Sequence, residues 1–289
     1  MFTFSRRVAM LVLATAFAAS LAPASAENAT LDAIKQRGTL KVGVKYDSPG
    51  FGLLDPKTNV VSGFDVEIAR SLARRILGDA KKIEFVQVTS SNRIPLLQNG
   101  DVDMFIATAT ITPARMQEID FSNVYYRAGQ TLLVRKPSPI KSYKDLAGHT
   151  VCTTTGSTPE LTIRRLAPQA NVQTFDTYAD CFTGLKSGRI DAMTTDNGIL
   201  LGYEAQDPAN LQVVGGLFTF EPYGIGIAKG NTTLLKAVNA ALMAMAKDGE
   251  YAKIHQATLG KPAPSDLMQW FGMDAKTAGE RYIAEQPKK

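Results

Sequence analysis

Leu40, Val42 and Val44 occupy alternate positions, the period of a strand with one buried face. The segment from Lys82 to Val88 predicts a second strand. Between them, Val66, Ala69, Leu72, Ala73 and Ile76 recur at helical spacing, with Ser62 and Asp65 as a candidate capping box. Strands separated by helices imply βαβ units and an α/β fold with mainly parallel sheets. The first residues follow another pattern. Arg6 and Arg7 precede an apolar run from Val8 to Leu21, and Ala24-Ser25-Ala26 supplies small residues for cleavage. That run is shorter than the roughly 20 residues needed to span a bilayer. Residues 1–26 are therefore expected to be a secretory signal peptide, and the rest an exported, soluble chain. No cysteine near the cleavage site offers a lipid anchor.

One stretch answers another. Leu97-Gln98-Asn99-Gly100-Asp101-Val102-Asp103 is echoed by Leu185-Lys186-Ser187-Gly188-Arg189-Ile190-Asp191. Each reads as a helix stopped by glycine and a tight turn into a strand. Counting eleven residues on from each leucine reaches Thr108 and Asp196. If the two units correspond, these residues sit at equivalent strand ends, where open α/β sheets bind ligands. A cleft between two such units follows. Chance similarity between two helix–turn–strand units is the alternative.

Composition adds limits. An apolar content of 45% with 20% charged residues fits a globular fold throughout. Without Arg6 and Arg7, 30 basic residues face 27 acidic ones, too even a balance for a nucleic-acid footprint. Cys152 and Cys181 are the only cysteines. In an exported chain a disulfide is the economical reading, with two free thiols as the other. These cysteines and the isolated His149 and His255 show no metal-ligand spacing, and no cofactor is expected. Pro137-Ser138-Pro139, after the apolar Thr131–Val134, looks like a passage between two lobes, and Tyr223–Ala228 like the way back. After Pro262 and Pro264, a helix near Ser265–Ala284 is expected to pack on the first lobe, unless the segment is a loose tail.

The stretch GFDVEIARSLARRI from Gly63 fits the signature of the family 3 solute-binding proteins of amino-acid importers, and ATITPARMQEIDFSNVYY (Ala109–Tyr126) resembles their carboxylate-binding segment. The similarity runs from about Leu31 to Gly260. It implies a periplasmic-binding-protein-like (type II) fold, two α/β lobes joined by two strands and closing on one amino acid. The expected division is 27–132 and 223–260 for the first lobe, 133–222 for the second and 261–289 for an extension.

The resemblance also implies roles. Arg115 holds the ligand α-carboxylate, since its planar fork matches two oxygens. Thr110 donates its hydroxyl to the same group, and Thr108 adds backbone or side-chain contacts. Ser157 and Thr158, opening a helix, meet that carboxylate from the second lobe. Asp196 accepts from the ammonium, or is merely a helix N-cap. The stretch SNRIPLLQNG (Ser91–Gly100) looks like that of aspartate/glutamate-binding members, with Arg93 facing the distal carboxylate. Lys45 adds a second positive charge, where some acidic-ligand members carry arginine. Tyr46, Phe51 and Tyr223 are candidate walls around the methylenes. The protein is thus expected to be a monomeric periplasmic carrier of glutamate or aspartate that docks on the membrane permease of an ABC importer. The other readings are a ligand-sensing subunit for a receptor and an enzyme of the same fold, such as a cyclohexadienyl dehydratase. Catalysis needs an acid, base or nucleophile in the cleft, and both histidines lie outside the ligand motifs.

Overall fold

A computed structural model describes residues 30–260 and 264–288. The expected signal peptide and Pro262 lie outside them. The chain opens with α1 (Leu31–Arg37), β1 (Leu40–Val44), the short strands β2 (Asp47–Ser48), β3 (Gly52–Asp55) and β4 (Val60–Ser62), α2 (Phe64–Leu77) and β5 (Ile83–Gln87). Next come α3 (Arg93–Gln98), β6 (Met104–Phe105), α4 (Pro113–Glu118), β7 (Asp120–Phe121), β8 (Tyr126–Ala128) and β9 (Gln130–Arg135). The middle of the chain forms β10 (Thr150–Thr154), α5 (Thr158–Leu166), β11 (Asn171–Phe175), α6 (Tyr178–Lys186), β12 (Ala192–Asp196), α7 (Asn197–Glu204) and β13 (Leu211–Val214). It returns through β14 (Glu221–Tyr223) and β15 (Gly226–Ile227) to α8 (Thr232–Lys247), α9 (Glu250–Leu259) and α10 (Ala275–Ala284).

Two five-stranded sheets share one plan, β5-β1-β6-β15-β7 and β11-β10-β12-β9-β13. In each, the first three strands are parallel and the fourth, β15 or β9, runs antiparallel to both of its neighbours. The echo in the sequence is therefore structural, because β6 and β12 occupy the same position. Gly100 and Gly188 stop α3 and α6 at φ 79° and 81°, a conformation that costs glycine little. The antiparallel ribbon of β8 and β14 carries the chain between the halves, with Glu221 opposite Ala128 and Tyr223 opposite Tyr126. The crossing lies here and not at Pro137–Pro139. Thr131–Val134 belongs to β9, which is already paired in the second sheet, so the prolines sit beyond it in a loop of the second half.

Leu40, Val42 and Val44 of β1 are fully buried, as are Ile68, Leu72 and Ala73 of α2, each large aliphatic contributing about 1.5–3 kcal/mol. The expected Ser62–Asp65 capping box does not form. The N-cap is Gly63 at φ 136°, where a Cβ would stand 2.3 Å from the Phe51 carbonyl oxygen. Asp65 turns inward instead, accepting from Thr108 N–H (2.9 Å) and the Tyr125 hydroxyl (2.9 Å). Cys152 of β10 and Cys181 of α6 form a disulfide.

The halves are in contact. A Cβ on Gly198 would lie 2.7 Å from the Phe51 ring, and one on Gly202 2.7 Å from Pro49. Asp47 accepts from Tyr178 N–H at 2.6 Å, and the Ser90 and Thr154 hydroxyls meet at 3.3 Å. The C-terminal segment is not one helix over Ser265–Ala284. A 3-10 turn at Leu267–Gln269 and a bend at Gly272, whose N–H donates to Val124 O, precede α10. On α10, Gly279 abuts Met116 and Pro113 of the first half, and Arg281 stacks 4.7 Å above the Phe220 ring beside the crossing strand. Past α10, Pro287 O accepts from Arg165 of the second half at 2.7 Å.

Candidate functional site

The loop from β6 to α4 presents the first group of residues. Thr108 takes a left-handed φ of 47°, held there by the bond from its N–H to Asp65. Thr112 caps α4, accepting from Arg115 N–H at 3.2 Å, and Pro113 at the first helical position needs no N–H partner. That start aims Arg115 across the cleft. Its Nη1 donates to Thr110 O (2.9 Å) and its Nη2 to Gly156 O of the second half (3.1 Å). Burial draws its pKa below the ordinary arginine value, opposed by the charge of Glu221.

Arg93 begins α3 but is no surface cap, being only 2% exposed. Its Nη1 donates to Ala107 O at 2.7 Å, its guanidinium lies 5.7 Å from the Phe105 ring centre, and its Nε has no partner among the described residues. Burial, then the charge of Arg115, lowers its pKa to about 9. Lys45 follows β1 and is equally buried. Its Nζ donates to Ser90 Oγ at 3.0 Å and sits 4.7 Å from the Tyr178 ring centre on the second half. Burial lowers Lys45 to about 8, with Asp47 opposing. Asp65, absent from the sequence-based site, is raised to about 7, by burial first, against the bonds from Tyr125 and Thr108.

From the second half, β12 delivers Asp196. It occupies the N-cap position of α7 yet makes no capping bond. Its Oδ2 accepts from the Tyr223 hydroxyl at 2.5 Å, and its buried Oδ1 has no partner among the described residues. Ser157 caps α5, accepting from Glu160 N–H (3.2 Å) and donating to Thr154 O (2.7 Å), so its hydroxyl is committed to the loop. Thr158 reaches the cleft, with its Oγ1 3.3 Å from that of Thr110.

Sequence reasoning missed Glu221. This fully buried carboxylate on β14 accepts from Thr110 (2.7 Å) and Thr158 (2.9 Å) through Oε2. Thr110 therefore directs its proton to Glu221 rather than outward as expected. Burial raises Glu221 and Asp196 above the usual carboxylate range, and the two carboxylates lie within reach of each other's charge. An acidic residue inside the apolar run Leu217–Ile227 was the available signal. Phe51 packs against Tyr126 (5.0 Å between ring centres) and Tyr223 (6.1 Å), whereas Tyr46 donates its hydroxyl to Phe85 O. The histidines are elsewhere: His149 stands 3.4 Å from Asp191, and His255 packs on Phe64 and Tyr126.

The cleft thus gathers Lys45, Arg93 and Arg115 with Asp65, Asp196 and Glu221. Among the described residues, none of these six forms an ion pair within 4.0 Å. No group of three or more His, Cys, Asp or Glu among the described residues could hold a metal ion, and no helix there is long and apolar enough to cross a membrane.

Comparison with known proteins bears on this arrangement. The family model of bacterial extracellular solute-binding proteins, family 3, matches residues 40–261. The ABC transporter glutamine-binding protein GlnH of Bacillus subtilis is 50% identical over 78% of this chain and 83% of its own length. The glutamate-binding protein GluB of Corynebacterium efficiens is 39% identical over 78% and 80%. A solved ancestral arginine-binding protein bound to glutamine superposes with a TM-score of 0.74 at 42% identity, covering 78% of this chain and 99% of that one.

Proposed function

Because the chain belongs to the bacterial extracellular solute-binding proteins, family 3, we propose that its cleft captures an acidic amino acid, glutamate or aspartate, in the periplasm and delivers it to the permease of an ABC importer. The observation that carries this reading is that the buried Lys45 and Arg93 and the half-buried Arg115 have no ion-pair partner within 4.0 Å among the described residues. Burying a charge is costly unless it is paired. Arg115 offers its fork to the α-carboxylate. Arg93, through its free Nε, and Lys45, through its remaining protons, present donors only, which suits a distal carboxylate. Asp196 accepts from the ammonium. Such a ligand touches both halves only when they are together, so binding favours closure. A neutral side chain leaves Arg93 buried without a counter-charge.

Glutamine is the second reading, favoured by the 50% identity to a protein named for glutamine binding. Its amide oxygen could take the Arg93 and Lys45 donors, but its NH2 group needs an acceptor beside them. A thermal-shift screen with the twenty amino acids tests both readings, since a ligand raises the melting temperature according to its affinity and concentration. The acidic reading expects the largest shifts from L-glutamate or L-aspartate. A dominant shift from L-glutamine with none from the acids sinks it.

A further inference from the structure

The proposed amino-acid role gives Asp196 a task and leaves Glu221 without one. Glu221 and Tyr223 are two residues apart on β14, so their side chains share a face of the strand. Tyr223 uses that face to reach Asp196 Oδ2 at 2.5 Å. Glu221 therefore stands on the side of the crossing ribbon that meets Asp196. Its Oε2 is occupied by the Thr110 and Thr158 hydroxyls, one from each half of the molecule. What remains is one buried oxygen on each carboxylate, Oε1 of Glu221 and Oδ1 of Asp196, neither with a hydrogen-bond partner within 3.5 Å among the described residues, although the Thr219 side chain lies close enough to favour the ionised form of Glu221.

Two neighbouring buried carboxylates repel, and an unpartnered buried acceptor adds its own desolvation cost. Arg115 is the cation nearest in influence to both. Two of its five N–H groups donate to the Thr110 and Gly156 carbonyls, and it forms no ion pair with either acid within 4.0 Å among the described residues. A small cation with several N–H donors would relieve both defects together. An α-ammonium group has that chemistry, with one charge and three protons on one atom.

We propose that Glu221 is a second anionic acceptor for the ligand's α-ammonium group, holding it jointly with Asp196 from the crossing strand. This rests on the reading of the cleft as an amino-acid site. It also gives the threonines a different part. With their protons directed to Glu221, the Thr110 and Thr158 hydroxyls turn lone pairs toward the ammonium, and the α-carboxylate is left to Arg115. Because Glu221 binds hydroxyls from both halves, it ties recognition of the ammonium to the closed arrangement.

Glu221→Gln keeps the side-chain shape and removes the charge. Calorimetry with L-glutamate and with L-2-hydroxyglutarate, which has a hydroxyl in place of the ammonium, is the test. Melting temperatures of the ligand-free proteins accompany it. The expected result is that Glu221→Gln binds L-glutamate at least about thirty-fold more weakly, while its response to L-2-hydroxyglutarate stays level with the wild type. The ligand-free variant should melt no lower than the wild type, because one of two repelling carboxylates has gone. Asp196→Asn should behave in the same way toward the two compounds. Unchanged L-glutamate affinity overturns the proposal. So does a parallel loss of both compounds with a lowered ligand-free melting temperature, which marks Glu221 as structural only. If the wild type responds to L-glutamine and not to L-glutamate, the acidic reading fails by itself. The ammonium proposal is then decided by the same comparison of Glu221→Gln with the wild type, using L-glutamine.

Discussion

The Tyr223 hydroxyl donates to Asp196 Oδ2 at 2.5 Å, so the crossing strand itself sets the carboxylate proposed to receive the ligand's ammonium group. Tyr223 is fully buried, and its hydroxyl is the hydrogen-bond donor that Asp196 has there. Tyr223→Phe removes it and leaves a second buried acceptor unmatched, which disfavours the ionised form of Asp196. Hydrogen bonds to charged groups contribute about 1.5–3 kcal/mol. Amino-acid affinity should fall by about ten-fold or more, read by calorimetry, and a variant that binds as the wild type does would refute this coupling.

Arg115 and Arg93 should fail in different ways. Arg115→Ala removes the group assigned to the carboxylate common to all amino acids, so every ligand that shifts the wild-type melting temperature should lose its effect. Arg93→Ala should weaken glutamate and aspartate by about 2–5 kcal/mol and leave any weakly bound neutral amino acid as it was. Equal losses for acidic and neutral ligands in the Arg93 variant would contradict the distal-carboxylate assignment.

Alkaline pH should weaken acidic ligands. Burial lowers Lys45 from 10.5 to about 8, so in the ligand-free protein it is half deprotonated near that pH. A distal carboxylate prefers the charged amine. Affinity for glutamate should therefore be flat below pH 8 and decline above it, approaching ten-fold per unit while Lys45 alone titrates. Lys45→Gln should flatten this decline between pH 7 and 9. The ligand-free protein shows the opposite sign. Between about 8 and 10.5 the unfolded chain holds the proton that the folded one has lost, so this group adds stability as pH rises.

Reduction should soften the second half. The Cys152–Cys181 bond ties β10 to α6 across a separation of 29 residues. A loop of that size is worth about 2–4 kcal/mol of stability. Thermal unfolding with and without reductant measures it, and superimposable curves would show that the bond contributes nothing. A thiol count under denaturing, non-reducing conditions should find none.

Local pattern carried much of the architecture. The alternation at Leu40–Val44 and the 3.6-residue period through Val66–Ile76 coincide with β1 and α2, because most of those apolar positions are core positions in the fold. The echo led to Thr108 and Asp196 because glycine-stopped helices feed equivalent strands in both sheets. Features that depend on distant residues were not legible. Asp65 resembles a helix cap in sequence, and only the fold brings Thr108 and Tyr125 to it. Glu221 lies among apolar residues, and its partners come from more than sixty positions away. Ser157 has the right place but the wrong freedom, since its hydroxyl closes its own turn. The crossing was misplaced for a similar reason. Proline marks a break in pairing, whereas this chain changes sheets through a paired ribbon.

The contact between Arg165 and Pro287 fixes the residues after α10 to the second half. With α10 seated on the first half and Pro287 held by the second, this segment straddles the boundary that the proposed carrier role requires to part on ligand release. A fluorophore or fused reporter attached just beyond Lys288 would ride on that seam and sense the molecule's opening and closing directly. Bulk added there would load the motion it was meant to observe.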